Sequence, residues 1–75
     1  MEVCYNKLWK LLIDKKMKKI GLQKAANISG NVLLRLNKDE FVSMESLYKI
    51  CKTLKCDVGD VMEFTYTEEE QDNGR

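Results

Sequence analysis

Basic side chains are the residues of this 75-residue chain whose type and spacing most clearly predict a chemical role. Nine of them lie within residues 7–38, where Asp14 is the only acidic residue, so this stretch carries a net charge of +8. The whole chain has a net charge of only +1, because residues 63–75 carry a net charge of −4. A local positive field suits a polyanionic partner, although a solvated lysine-rich surface would have the same composition.

Residues that perform catalysis or bind metals are scarce. The chain has no histidine, so the usual base for a serine or cysteine nucleophile is missing, and its four scattered glycines do not form a phosphate-binding loop. Cys4, Cys51 and Cys56 form no CxxC pair and cannot supply the four ligands of a structural zinc site. We therefore expect no enzyme activity, no metal and no cofactor, and we interpret the cysteines as buried or half-buried thiols in a reducing compartment.

The stretch that must position the basic residues is 22–36. Its apolar residues recur at helical spacing in two runs, first Leu22, Ala25 and Ala26 and then Val32, Leu33 and Leu36. Between the runs, Asn27 can adopt the left-handed conformation that ends a helix, and Ile28 offers an apolar plug. Ser29 is a favoured N-cap for a new helix. Helix, short turn and capped helix together predict a helix-turn-helix.

Lysines near the start of the second helix are natural phosphate contacts. Four of them surround Met17 in the loop 15–19, and Lys24 follows in the next helix. That helix is expected to begin at Ile20 or Gly21, and its N-terminus could also receive a phosphate oxygen. Trp9 could stack on a base, but a core or edge-of-core aromatic is the preferred interpretation.

Periodicity and caps predict three further helices. The first covers residues 5–16, the fourth follows Ser43 as N-cap and ends near Lys55, and Asp57 caps a short fifth helix. Residues 64–67 alternate as in a short strand, and the acidic remainder contains no apolar residue. We therefore predict an all-α domain of five helices over residues 1–64, followed by a short acidic tail, 65–75, that is disordered or locally extended. No apolar run is long enough to span a membrane and no signal peptide is evident, so we expect a cytoplasmic protein.

The segments YNKLWKLLIDKKMKK, LQKAANIS and SMESLYKICKTLKCDVGDVMEF resemble those of Cro/CI-type (XRE-like) helix-turn-helix regulators, the family that includes phage repressors. The likeness is greatest to a compact single-domain subgroup found on bacterial mobile elements. It covers about residues 3–64 and implies a lambda-repressor-like DNA-binding domain. Several positions depart from the family pattern. Asn27 replaces a glycine usual at the turn, Gln23 replaces an alanine that usually follows the leucine of the second helix, and Ile20 replaces a threonine that often caps that helix.

The resemblance implies that residues 29–36 form a recognition helix in the major groove of double-stranded DNA. Its expected base-reading residues are Ser29, Gly30, Asn31, Leu34 and Arg35. Asn31 could pair with adenine, Arg35 could reach guanine or a phosphate, and Leu34 could contact a thymine methyl or lie at the edge of the core. The expected phosphate contacts are Lys16, Lys18, Lys19, Lys24 and Lys38.

The resemblance also implies a homodimer on a two-fold operator, with Val61, Phe64 and Tyr66 as candidate contacts, although the aromatics could instead cover the monomer core. The expected function is a transcriptional regulator, in particular a repressor, without a small-molecule effector. The alternative is an antitoxin-like or assembly module that retains the fold without strong DNA binding. Gly30, unusual at a base-reading position, and the acidic tail motivate this alternative. The tail itself could be inert, solubilising, or a brake that competes with DNA.

Overall fold

The computed structural model describes residues 2–66. In chain order it contains β1 (Glu2–Cys4), α1 (Asn6–Asp14), α2 (Lys19–Ala26), α3 (Gly30–Asn37), α4 (Met44–Leu54), a 3-10 helix (Val58–Asp60) and β2 (Glu63–Thr65). Helix α2 packs against both α3 and α4. Most of the predicted acidic tail, residues 67–75, lies outside the described residues. Within residues 2–66, no helix has the length and apolar content needed to cross a membrane.

One apolar core holds the helices together. Each α-helix contributes a side chain that is almost completely buried, namely Leu8, Leu22, Leu36 and Ile50. These positions belong to the inward-facing stripes that helical periodicity predicts. Burying a leucine or isoleucine side chain contributes about 1.5–3 kcal/mol, so the four helices are joined mainly by this shared core.

The prediction of an all-α, five-helix fold needs correction at both ends of the domain. Strands β1 and β2 pair in an antiparallel two-stranded sheet, with Val3 opposite Phe64. The predicted fifth α-helix is a single 3-10 turn, although Asp57 caps it as expected and its side chain accepts from the Val58 N–H at 2.9 Å. The alternation over residues 64–67 indicated a short extended segment, but its partner β1 lies on the other side of all four α-helices in the sequence, which explains why the sheet was not predicted.

The capping residues define the other helix ends. The Ser43 hydroxyl accepts a hydrogen bond from the Ser46 N–H at 3.1 Å, which confirms the predicted start of α4. Helix α1 ends earlier than predicted, and Lys16 after it has a left-handed conformation with φ 57°. Helix α2 begins at Lys19, and Lys18 at its N-cap position provides no side-chain hydrogen bond.

Candidate nucleic-acid interface

The turn between α2 and α3 follows the local sequence closely. Asn27 has φ 58° and ψ 47°, the left-handed conformation predicted for it. The Ile28 N–H donates to the Gln23 carbonyl at 3.1 Å, and the Ile28 side chain is buried in the core. The turn is therefore anchored by a buried side chain on its inner side, and it sends α3 away in a new direction.

Ser29 caps α3, as predicted. Its hydroxyl oxygen accepts a hydrogen bond from the Val32 N–H at 3.2 Å. Because a serine hydroxyl both donates and accepts, its O–H remains available as a donor toward a ligand. Ser29 therefore has a structural role in starting the helix, in addition to the DNA contact expected of it.

The outer surface of α3 presents three side chains together, and we call Asn31, Leu34 and Arg35 the reading face. Their spacing of three and four residues places them on one side of the helix, and all three are exposed. Leu34 is 49% exposed, so it lies on the surface rather than at the edge of the core. On the opposite side of α3, Leu33 and Leu36 are buried.

Gly30 lies in the first turn of α3, next to the reading face. Its φ is not positive, so glycine is not required there for its conformational freedom. A Cβ atom built at this position would meet only the Gln23 side-chain nitrogen, at 3.9 Å, which is ordinary van der Waals contact. The missing side chain thus leaves open space toward solvent, where a group outside the protein could approach the backbone.

The five lysines predicted to contact phosphates are all exposed, but they differ in their surroundings. Lys18 and Lys19 lie at the start of α2, Lys16 just before it and Lys24 in its last turn. Lys38 follows the last residue of α3. Among residues 2–66, the ion pairs join Lys7 to Glu63 and Lys49 to Glu45, so none of these five lysines takes part in them.

Lys19 has a structural role that the sequence did not predict. Its ammonium group donates to the Asn37 side-chain oxygen at 2.7 Å, and it lies 4.2 Å from the centre of the Trp9 ring. These contacts link the start of α2 to α1 and to the last residue of α3. Trp9 is partly buried against the core, in agreement with its interpretation as an edge-of-core aromatic.

A second unpredicted contact fixes the chain after α3. Tyr5 is buried, its hydroxyl donates to the Glu40 carbonyl at 2.7 Å, and its backbone N–H donates to the Asp39 carboxylate at 3.2 Å. Burial and the nearby Asp39 carboxylate raise the pKa of the Tyr5 hydroxyl. The segment that carries Lys38 is therefore tied to the start of α1. The partners are more than 30 residues apart, so local pattern carries no signal for this contact.

An apolar groove lies outside the reading face. It has a volume of about 560 Å³, and its lining includes Val3, Phe41, Met44, Val58 and Phe64. Phe41 and Phe64 are about half exposed, and Met44 is 75% exposed. Water-accessible apolar side chains of this size and proximity are typical of surfaces that bind a partner.

The three residues predicted to contact a second copy differ in their exposure to solvent. Phe64 and Tyr66 are 52% and 54% exposed, whereas Val61 is only 1% exposed. Val61 therefore belongs to the core, and its selection as a partner contact needs correction. It lies two residues before β2, and its place in the core helps to fix the position of the exposed aromatics that follow it.

Two comparisons with known proteins agree with this geometry. The sequence profile of the Cro/C1-type HTH DNA-binding domain matches residues 7–66. The crystal structure of the transcriptional regulator VanUg, Form II, is similar to this chain with a TM-score of 0.81 and 50% sequence identity, covering 83% of each chain. No match was found among curated protein sequences. The protein belongs to the family of Cro/C1-type helix-turn-helix DNA-binding proteins.

Proposed function

We propose that this protein binds double-stranded DNA sequence-specifically as a homodimer and represses transcription by occupying its operator. The observation that carries the proposal is the reading face, where an amide, an apolar side chain and a guanidinium group are exposed together on α3. These are three chemical types that distinguish base edges in the major groove. A helix is also the element that the major groove of B-form DNA accommodates.

Each member of the reading face has a role in this proposal. The Asn31 amide both donates and accepts, which matches the paired donor and acceptor on the major-groove edge of adenine. Arg35 reaches the two acceptors of guanine or, in a slightly different position, a phosphate. Leu34 is exposed between them and packs against a thymine methyl group.

The surrounding lysines position the reading face on the DNA backbone. Lys18 lies at the start of α2, Lys24 lies in its last turn beside the α2–α3 turn, and Lys38 lies at the far end of α3. The N-terminus of α2 adds backbone N–H groups, because the described residues provide no side-chain cap for it. Such contacts supply affinity and orientation without reading sequence. Lys19 keeps its neighbours in place through Trp9 and Asn37, and its remaining N–H groups are available to a phosphate.

Dimerisation accounts for the apolar groove and for the short length of the recognition helix. One α3 reaches only a few base pairs, so a second copy extends the site to two half-sites. Phe64 and Tyr66 are the exposed aromatics that we assign to the contact between the two copies. Removing them from water would supply the association energy.

Selection of bound sequences from a random DNA pool with the full-length chain tests the proposal. The expected result is two related half-sites in opposite orientation, about 10–10.5 base pairs apart from centre to centre or a multiple of that spacing. Binding of the selected duplex should weaken by about 10³–10⁵-fold between 50 and 200 mM salt if 6–10 phosphates are contacted. Recovery of no enriched sequence would contradict sequence-specific binding.

A second candidate function is a protein-interaction module that retains the fold without strong DNA binding. The apolar groove favours it, because Phe41 and Met44 are exposed there and are not part of the reading face. A titration with random duplex DNA at low salt separates the two functions. The interaction module predicts no measurable binding, whereas the regulator predicts binding that decreases steeply as salt is added.

A further inference from the structure

Two cysteines meet at the end of α4. Cys51 is in the last turn of the helix, and Lys55 after the helix has a left-handed conformation with φ 56° and ψ 53°. This conformation turns the chain so that the Cys56 N–H donates to the Cys51 carbonyl at 3.0 Å. In a helix cap of this kind, the side chains of these two positions commonly contact each other. Both thiols are free and half-buried.

The surroundings of the two sulfur atoms differ. Cys56 borders a surface depression that Lys10, Lys15 and Lys55 also line. Both cysteines line a second depression together with Lys52 and Lys55, and Cys51 also borders a smaller one beside Leu47 and Val58. An anionic reagent is attracted to the lysine-lined surface, and Cys56 borders both of the lysine-lined depressions whereas Cys51 borders one of them.

The acidity of the thiols follows the same order. Burial, and then the neighbouring Cys56, raise the pKa of Cys51 to about 11. Burial also raises the pKa of Cys56, as do the nearby Asp60 and Asp57 carboxylates, but the hydrogen bond with Cys51 and the charge of Lys15 act in the opposite direction. The thiolate is the reactive form in disulfide exchange, so Cys56 is the better nucleophile of the two.

We propose that Cys51 and Cys56 form a modification site, a thiol pair that closes to an intramolecular disulfide by exchange with an anionic low-molecular-weight disulfide. The Cys56 thiolate attacks one sulfur atom of the reagent, which forms a mixed disulfide and releases the first small thiolate. Cys51 then loses its proton, its sulfur attacks the Cys56 sulfur, and the second small thiolate leaves. Two protein thiols are oxidised, one small disulfide is reduced, and the two protein protons end on the two small thiols.

The bridge would join α4 to the segment that enters the 3-10 helix. Both elements border the apolar groove, through Met44 and Val58. The modification therefore fixes the geometry between two walls of that groove, while α2 and α3 contain no cysteine.

The test uses the full-length folded protein, oxidised glutathione as reagent, and mass spectrometry after tryptic digestion. Trypsin cleaves after Lys49, Lys52 and Lys55, so Cys51 and Cys56 are released on separate peptides. The expected product is a disulfide-linked pair of these two peptides, together with a protein that has lost the mass of two hydrogen atoms. Cys4→Ser is the matched control and should give the same linked pair.

Single variants test the order of attack. Cys51→Ser should accumulate the mixed disulfide on Cys56, and Cys56→Ser should react more slowly at Cys51, because the less acidic thiol supplies less of the reactive thiolate. The oxidised parent should also unfold at a higher temperature than the reduced parent, because the bridge restricts the unfolded chain. Mixed disulfides without ring closure in the parent, or a lower melting temperature after closure, would overturn the proposal. Equal reaction rates for the two variants would overturn the assigned order.

Discussion

The reading face on α3 and the apolar groove beside β2 are built in opposite ways. The reading face comes from residues within one turn of a single helix, and two of its three side chains are polar. The groove combines Val3, Phe41, Met44 and Phe64, which lie on four separate segments of the chain. The first surface consists of separable contacts, each of which can be changed alone. The second depends on tertiary packing, so one change in it is expected to affect the whole surface.

The largest expected effect comes from a charge placed in the groove. Phe64→Glu should convert the proposed dimer to a monomer and weaken binding to a two-half-site operator by about 100-fold or more, because linked binding of two half-sites is lost. Phe64 is half exposed, so a carboxylate there remains in contact with water and the fold should persist. Analytical ultracentrifugation and a binding titration measure the two effects.

Tyr48→Glu is the matched control for this experiment. Tyr48 is an exposed aromatic of α4 that does not line the groove, and the same charge there should leave the oligomeric state unchanged. If Phe64→Glu remains a dimer with parental affinity, then Phe64 is not part of the contact between the copies.

Changes on the reading face should have smaller and more specific effects. Asn31→Ala and Arg35→Ala are each expected to cost about 1–3 kcal/mol in operator binding, or roughly 5- to 150-fold, and to relax base preference at one position. The way in which Arg35→Ala weakens operator binding distinguishes a base contact from a phosphate contact. Uniform weakening with all sequences and a lower salt slope indicates a phosphate contact, whereas relaxed preference indicates a base contact.

Lys49→Ala provides the control for charge. Lys49 is a basic residue of α4 that pairs with Glu45 at 3.8 Å, outside the reading face. Its removal lowers the net charge as much as Arg35→Ala does. Parental operator binding by Asn31→Ala and Arg35→Ala would show that the reading face is wrongly assigned.

The reading face and the groove also differ in how much of each could be predicted from the sequence. Asn27 and Ser29 act on backbone groups within four residues of themselves, so their types alone indicated the turn and the start of α3. The predicted caps Ser43 and Asp57 were found for the same reason. Local chemistry therefore defined the element that carries the reading face.

Contacts between residues that are distant in the sequence could not be predicted from local sequence patterns. The pairing of Val3 with Phe64 and the bond from Tyr5 to Glu40 each join segments separated by at least one complete helix. Lys19 was predicted only as a phosphate contact, and its hydrogen bond to Asn37 was not predicted. Since the groove combines segments that are distant in the sequence, Phe64 was the only residue of its lining to be predicted as a candidate contact.

A smaller effect is expected from filling the space beside the reading face. Gly30→Ala introduces a Cβ atom that the free protein accommodates, and alanine favours a helix more than glycine does. Stability to heat should therefore stay equal or rise slightly. If the backbone at Gly30 approaches DNA closely, operator affinity should fall about tenfold, which is the order of one lost close contact. Parental affinity would mean that Gly30 only weakens the start of α3.

The smallest expected effect concerns the acidic segment 67–75, which follows β2 in the sequence. Thr65 at the end of β2 and Lys38 after α3 line the same depression, so the chain leaves β2 beside a predicted phosphate contact. The segment contains four acidic residues and one arginine. If it acts as a brake, replacing the four acidic residues by their amides should strengthen binding to random duplex DNA about threefold at low salt, since exposed charge interactions contribute up to about 1 kcal/mol. The difference should vanish at high salt because screening removes it. Equal affinity at low salt would mean that the segment is inert or solubilising. It would then not compete with DNA for the basic surface that surrounds the reading face.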